Sequence, residues 1–203
     1  MYFFDELSPY KQQDDLIRLT LATGPSVEPI TKTECKRHLS IAESNTSHDN
    51  ELDVLIESAR RKLEEDTGLA VISQTYTQVF PVFVDGLRLA RSPLTAVSSI
   101  TYYDSADVQQ TLSSSVYGVD LPTRQIRLKS NQDWPDTYQR WDAITVTFTA
   151  GYASASVVPA NIKHALLTLV AYYFDLDRGD NPQATSPRTY QHLIANITRA
   201  TYP

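Results

Sequence analysis

The stretch "EEDTGLAVISQTYTQVF", residues 64–80, changes period in its middle, and no other feature limits the fold so strongly. Up to Gly68 charged and apolar residues recur at helical spacing. Beyond it β-branched and aromatic residues take over, as strands prefer. A charged helix therefore runs into a sheet with no linker, an arrangement expected to hold the two at a fixed angle. Such a junction serves an enzyme that must hold a reactive group, or an assembly subunit that must set two contact surfaces.

The helix entering the junction carries Leu52, Leu55, Ile56, Ala59 and Leu63 on one stripe, and Gly68 takes the left-handed position that ends it. A shorter helix precedes it in "TKTECKRHLSI", where the Thr31 hydroxyl and the Glu34 carboxylate form a capping box. From Val71 to Tyr152 the signals are β: "VISQTYTQVF", a turn at Asp85-Gly86 with "LRL" as a short return strand, then "VSSITYYD", "VYGVD", "QIRLK" and "AITVTFT". In the last of these Ile144, Val146 and Phe148 alternate with Thr145, Thr147 and Thr149, the pattern of a half-buried antiparallel strand. About six short strands at this spacing predict a small antiparallel sandwich or barrel.

Helix returns at Pro159, with Ile162, Ala165, Leu166, Leu169, Val170 and Tyr173 on one face and Gly179 and Pro182 closing it. Ser186-Pro187 has the form of a cap for a final helix carrying Tyr190, Leu193, Ile194 and Ile197. Single apolar stripes must be buried, and packing the helices before the sheet against those after it does so. The expected fold class is α+β: a helical bundle from residues 31–68 and 158–199 with an antiparallel β-sandwich or barrel-like insertion at 70–152. Residues 1–30 read as an arm with a short strand "IRLTLAT", in which Ile17, Leu19 and Leu21 alternate with polar neighbours, and 200–203 as a tail.

Chemistry is sparse. Cys35 is the only cysteine of 203 residues, which rules out an internal disulfide and a cysteine-built zinc site and suits a reducing cytoplasm. Cys35, His38, His48 and Asp49 lie near one another in sequence but read as helix surface and packing, and no cofactor is expected. No Gly-x-Ser-x-Gly elbow occurs, and the six glycines are scattered singly, without a phosphate-cradling motif. Arg178-Gly179-Asp180, Asn45-Thr46-Ser47 and Asn196-Ile197-Thr198 read as coincidental motifs. Arg60-Arg61-Lys62, beside Glu57, Glu64, Glu65 and Asp66, reads as a solvated or subunit-contacting face. The best enzyme or sugar-binding candidate is "DWPDTYQRWD", with Asp133, Trp134, Asp136, Tyr138, Trp141 and Asp142 together. Its plainer reading is a loop packed on a sheet edge by two tryptophans.

No apolar run reaches the roughly 18 residues of a membrane span, and "MYFFDELSPYKQQDD" has an acidic flank, so neither a membrane segment nor a signal peptide is expected. The net charge of −6, concentrated in the first third, argues against gripping nucleic acid. It disfavours a duplex-binding packaging accessory.

Several blocks, taken in order, are similar to a known family. "PITKTECKRHL", "LIESARRKLEEDTGLAVISQTY", "SPLTAVSSITYYD", "DWP", "ITVTFTAGY" and "VPANIKHALLTLVAYYF" resemble successive segments of the head-tail connector, or adaptor, proteins of tailed bacteriophages and prophages, over roughly residues 16–178. The resemblance implies a virion neck protein made in the bacterial host cytoplasm, without catalysis. It implies a ring of twelve copies beneath the portal protein, joined to a downstream tail or neck protein, with DNA passing through the channel unbound. Thr31, Glu34 and Gly68 would form the structural junction. Tyr2, Phe3 and Phe4 of the arm and Tyr190, Leu193, Ile194 and Ile197 of the last helix would meet the portal, a neighbouring copy or the next neck protein. The alternative from another class is a carbohydrate-binding or glycan-hydrolysing tail component built on the Asp133-Trp134 to Trp141-Asp142 cluster.

Overall fold

The computed structural model describes residues 18–177 and 187–201. Tyr2, Phe3 and Phe4, Ile17, the Arg178-Gly179-Asp180 tripeptide, Pro182 and Ser186 lie outside the described residues. Among those described, four α-helices and eight strands form an α+β fold in which β-strands two to eight are inserted between helices in the sequence and the first strand precedes them all. The chain divides into two compact units, one holding residues 25–73, 91–93 and the segment from 150 onward, the other residues 74–90, 94–149 and the strand before 25.

The first unit is helical. Helix α1 (Lys32–His38) starts at the capping box: the Glu34 amide donates to Thr31 Oγ1 at 3.1 Å, and the Thr31 amide donates to Glu34 Oε2 at 2.7 Å. Helix α2 (Asp49–Thr67) ends at Gly68, whose φ of 70° is the left-handed conformation glycine adopts without a Cβ clash. Helix α3 (Ala160–Asp177) begins after Pro159, whose carbonyl accepts from the amides of Ile162 and Lys163. Helix α4 (Arg188–Thr201) follows Pro187, with the Gln191 amide on the Pro187 carbonyl at 3.1 Å.

The expected stripes meet. Leu52, Leu55, Ile56, Ala59 and Leu63 of α2 pack with Ile162, Ala165, Leu166, Leu169 and Val170 of α3 in one core, each large side chain contributing about 1.5–3 kcal/mol by leaving water. Helix α3 is central, touching each of the other three. That position explains a departure from the single-face reading: Tyr172 and Phe174 are buried while Tyr173 is half-buried, because a central helix is covered on more than one side.

The second unit carries a five-stranded sheet of order β1-β2-β8-β4-β5 and a three-stranded sheet of order β3-β7-β6. Their spans are β1 (Arg18–Thr23), β2 (Gln74–Phe80), β3 (Leu87–Arg88), β4 (Leu94–Tyr103), β5 (Gln109–Thr111), β6 (Tyr117–Asp120), β7 (Gln125–Leu128) and β8 (Ile144–Ala150). In β8 the alternation is as read, with Ile144, Val146 and Phe148 fully buried and the threonines between them half-buried.

Four expectations change. The "LRL" segment does not return against β2: β3 pairs antiparallel with β7, Leu87 opposite Ile126, and so opens the second sheet. Strand β2 starts at Gln74, three residues later than read, because Val71 and Ile72 join the helical core. Strand β5, only "QQT" and wholly exposed, has no apolar pattern to announce it; its hairpin ladder with β4, Thr101 opposite Thr111, makes it. The alternation of β1 buries no face: it pairs antiparallel with β2 at the sheet edge, where Leu19 is half-buried and Leu21 exposed.

Candidate functional site

Three places carry the residues singled out by the sequence. The first is the junction after α2, described within the helical unit. In the Glu64 carboxylate, Oε1 accepts from the Val71 amide at 2.8 Å and Oε2 from Arg60 Nη1 at 3.2 Å. Arg60, only 5% exposed, also grips Glu28 with both arms, Nε to Oε2 at 2.8 Å and Nη2 to Oε1 at 3.2 Å. Burial alone would lower the Arg60 pKa, but the Glu28 and Glu64 carboxylates outweigh it and hold it raised. Arg60 is thus no solvated face. Arg61 and Lys62 are the outward members of the run, paired with Glu57 and Asp66 at 2.7 and 2.5 Å.

The end of α2 is closed from elsewhere in the chain. Arg91 Nη1 donates to the Glu64 carbonyl at 2.7 Å, bringing a cation to a C-terminal turn that has none of its own. The Ala70 amide donates to the Ser92 carbonyl at 2.7 Å, the Ser73 amide to the Tyr152 carbonyl at 2.9 Å, and the Gly151 amide to the Pro93 carbonyl at 2.8 Å. Gly151 has a φ of 117°, and a Cβ there would stand 2.3 Å from the Ile72 carbonyl oxygen. Glu28 and Arg91 were not singled out from sequence, and Gly151 only as part of the "ITVTFTAGY" block. Arg60 was legible in principle, because positions 56, 60, 63 and 67 share one helical face.

At the capping box, the partly buried Glu34 carboxylate would be raised by burial. The Thr31 amide and hydroxyl and the Lys163 ammonium, 3.3 Å away, hold it lowered instead. Its neighbour Cys35 is fully buried, and burial with the adjacent Glu34 charge pushes the thiol up to about 12. His38 is exposed, while His48 Nδ1 lies 2.8 Å from Glu51 Oε2 with its ring edge-on to Phe174. Among the described residues no group of three His, Cys, Asp or Glu side chains is gathered as a metal would require, and no helix is long and apolar enough to cross a membrane.

The second place is the tryptophan loop of the β unit. Trp134 stacks on Phe83, centroids 4.7 Å apart and planes 3° from parallel, and Phe83 meets Tyr102 edge-on. Phe83, 51 residues earlier, carried no sequence signal. An open groove of about 680 Å³ beside these rings has a mixed lining, in which Phe83, Trp134 and Tyr138 stand with the polar Ser105, Asp136 and Gln139. The Trp134 indole Nε1 is buried without a hydrogen-bond acceptor. Trp141 is 60% exposed, with the Arg18 guanidinium carbon over its ring, 5.8 Å from the centroid. Asp142 is clamped by Arg140, Nε at 2.5 Å and Nη2 at 2.8 Å, and that bond holds its pKa lowered. Arg140 also holds Asp107 at 3.0 Å and covers the Tyr103 ring at 3.9 Å. Asp142 is therefore a fixed carboxylate, not a proton donor, whereas Asp133 and Asp136 stand exposed.

The third place is α4. Tyr190, 1% exposed, and Ile197 are buried in the helical core, Leu193 and Ile194 are half-buried against it, and Gln191, His192, Ala195 and Asn196 face outward. The helix completes the bundle with its apolar face and leaves a polar face open.

With this geometry in hand, the fold can be matched. No family model matches the chain, and no curated protein does. Solved structures do. A chain in the virion of a native gene transfer agent (GTA) particle superposes with a TM-score of 0.71 at 22% identity, over 88% of this chain and 93% of that one. A chain from the neck of an empty GTA particle computed with C6 symmetry gives 0.72 at 21%, over 88% and 94%. One from the neck of a native GTA particle computed with C12 symmetry gives 0.68 at 21%, over 88% and 93%. The fold, bundle and inserted sheets together, is that of these chains.

Proposed function

We propose that this chain is a structural, non-enzymatic subunit of the neck of a phage-like particle: a head-tail connector or adaptor. In this reading twelve copies form a ring beneath the portal protein, join it to the next tail or neck component, and leave a channel through which DNA passes. The observation that carries the proposal is the likeness, over almost the whole length of both chains, to chains of GTA particles whose necks were computed with C6 and C12 symmetry. An acidic subunit suits a channel that DNA must cross without adhering. Ring neighbours would meet by heterologous contacts, one face complementing a different face. The subunit would be made in the bacterial cytoplasm and end in the virion.

The proposed partner-contacting residues are Tyr2, Phe3 and Phe4 of the arm and, separately, those of α4. Tyr190 and Ile197 set the position of that helix, and Leu193 and Ile194 with outward His192 and Asn196 would meet the portal, a neighbour or the next neck protein. Thr31, Glu34 and Gly68 keep their structural role at the helix ends. Electron microscopy of the purified protein, alone and mixed with portal-bearing capsids, tests the proposal. Closed rings seated at one vertex are the expected result; a monomer that ignores capsid vertices overturns it. Truncating α4 would open the bundle core, so the interface is better tested by His192→Glu with Asn196→Glu, which should abolish docking and leave folding intact.

A further inference from the structure

The tryptophan loop carries a groove that the neck role leaves unused. Phe83 and Trp134 lie in it with their planes 3° from parallel, and Tyr102 braces Phe83 edge-on, centroids 5.9 Å apart. Tyr138, 44% exposed, is the third aromatic ring of the lining. Ser105, Asp136, Thr137 and Gln139 supply polar groups. Among the described residues none of these four side chains hydrogen-bonds to the protein, so their hydroxyls, amide and carboxylate are open to a ligand.

The polar residues are held in place. Arg140 Nη1 donates to Asp107 Oδ1 at 3.0 Å and Nη2 to Asp142 Oδ2 at 2.8 Å, so one guanidinium ties the segment carrying Asp136, Thr137 and Gln139 to the turn carrying Ser105. That turn is closed by Asp104, whose Oδ1 accepts from the Ala106 and Val108 amides at 3.0 and 3.1 Å. The Tyr138 amide donates to the Tyr103 carbonyl at 3.0 Å. A site formed in advance loses little to ordering when a ligand arrives.

The lining selects a chemistry. No lysine, arginine or histidine belongs to it and its one charge is the Asp136 carboxylate, which repels phosphates, nucleotides and acidic glycans. Its open polar groups disfavour a wholly apolar ligand. What fits is a neutral molecule with an apolar face for an aromatic ring and a fringe of groups that both donate and accept. A pyranose has that make-up, C–H groups on one face and hydroxyls around the edge. The volume of about 680 Å³ suits a small-ligand site.

We propose that this groove binds a neutral saccharide, with Tyr138 as the stacking ring and Asp136 and Gln139 as its hydrogen-bonding groups. No cleavage is assigned, since Asp142 is engaged by Arg140 and lies outside the lining. The proposal stands whether or not the subunit is a neck protein.

The test titrates the full chain with maltohexaose, cellohexaose and chitohexaose, read by calorimetry and saturation-transfer NMR. Saturable binding of at least one probe, with a Kd of about 1 mM or tighter, is expected. Tyr138→Ala, Gln139→Ala and Asp136→Asn, all at exposed positions and checked for folding by circular dichroism, should each weaken it about tenfold. Trp141→Ala, outside the lining, should leave it unchanged. Failure of every probe to bind at about 10 mM would overturn the proposal. So would binding that the three groove variants leave undiminished or that Trp141→Ala abolishes, which places it elsewhere on the chain, or a preference for an anionic heparin hexasaccharide. None of these results bears on ring formation, which electron microscopy reads separately.

Discussion

The phenol of Tyr190 donates to the carboxylate of Asp66 at 2.7 Å, across 124 residues of sequence, and fastens the last helix to the final turn of α2. Burial first, and then the Asp66 charge, raise the Tyr190 pKa, so the phenol stays a donor throughout the ordinary range. Asp66 also pairs with Lys62 and is partly exposed, which softens the loss of one donor. Tyr190→Phe should therefore cost about 1–2 kcal/mol, measured by urea denaturation followed through the helical circular dichroism signal. Tyr190→Ala, which also empties a fully buried site, should cost about 3–5 kcal/mol.

Gly151 tolerates no side chain. With φ at 117° and a Cβ position 2.3 Å from the Ile72 carbonyl oxygen and 2.8 Å from the Ser73 amide, Gly151→Ala pushes backbone against backbone. A loss of about 3 kcal/mol or more is expected, against a change within about 0.5 kcal/mol for Gly118→Ala, where nothing lies within 4 Å of the added methyl. Equal melting temperatures for the two variants would contradict this.

What the sequence made legible was local. The capping box at Thr31 and Glu34, the stripe from Leu52 to Leu63, the left-handed Gly68 and the alternation of β8 are each decided by residues within a turn or two of one another. What it hid depends on distant partners. Strand β3 is two residues long and exists because β7 supplies its ladder 38 positions later, so nothing near Leu87 could say which sheet it joins. Gln78 looks like a polar strand residue yet is fully buried, because its amide imitates a backbone unit, donating to the Arg88 carbonyl at 3.1 Å and accepting from the Ala90 amide at 2.9 Å. The tryptophan loop was found from its own residues, but its stacking partner Phe83 and the resulting groove were not.

The Glu34 carboxylate makes the start of α1 sensitive to acid. Its folded pKa is lowered from the usual 4.5, since bonds from Thr31 and Lys163 overcome the opposing effect of burial. The contribution is then fully present above pH 4.5 and is lost as pH falls through the lower, folded value. Stability of the parent chain should drop relative to Glu34→Gln over that acid window, and the two should run parallel above it. Thr31→Ala, which removes the other half of the box, should cost about 1 kcal/mol at neutral pH.

Cys35 should be inert in the folded chain. Its thiol is fully buried and pushed up to about 12, so thiolate is scarce at pH 8 and the sulfur is shielded from reagent. Ellman's reagent is expected to label it only on unfolding, with rapid release in guanidinium and very slow release without it. Fast native labelling would mean that the end of α1 opens freely.

The Arg60 cluster is expected to behave as one coupled unit. Removing the cation by Arg60→Met leaves the buried Glu64 carboxylate without its guanidinium at Oε2, at a cost of about 3–5 kcal/mol. Glu64→Gln keeps one carbonyl oxygen, which can serve the Val71 amide or Arg60 but not both, and should cost about 1–3 kcal/mol. Because the charge that makes each single variant costly is absent once both are changed, the double variant should be less unstable than the two losses added, by about 1–3 kcal/mol in a denaturation cycle. Glu28, whose side chain is 34% exposed, can rehydrate when Arg60 is gone, so Glu28→Gln should be the mildest of the three. Strict additivity between positions 60 and 64 would mean that the guanidinium and the carboxylate are solvated separately, and that the end of α2 is held by Arg91 and the main chain alone.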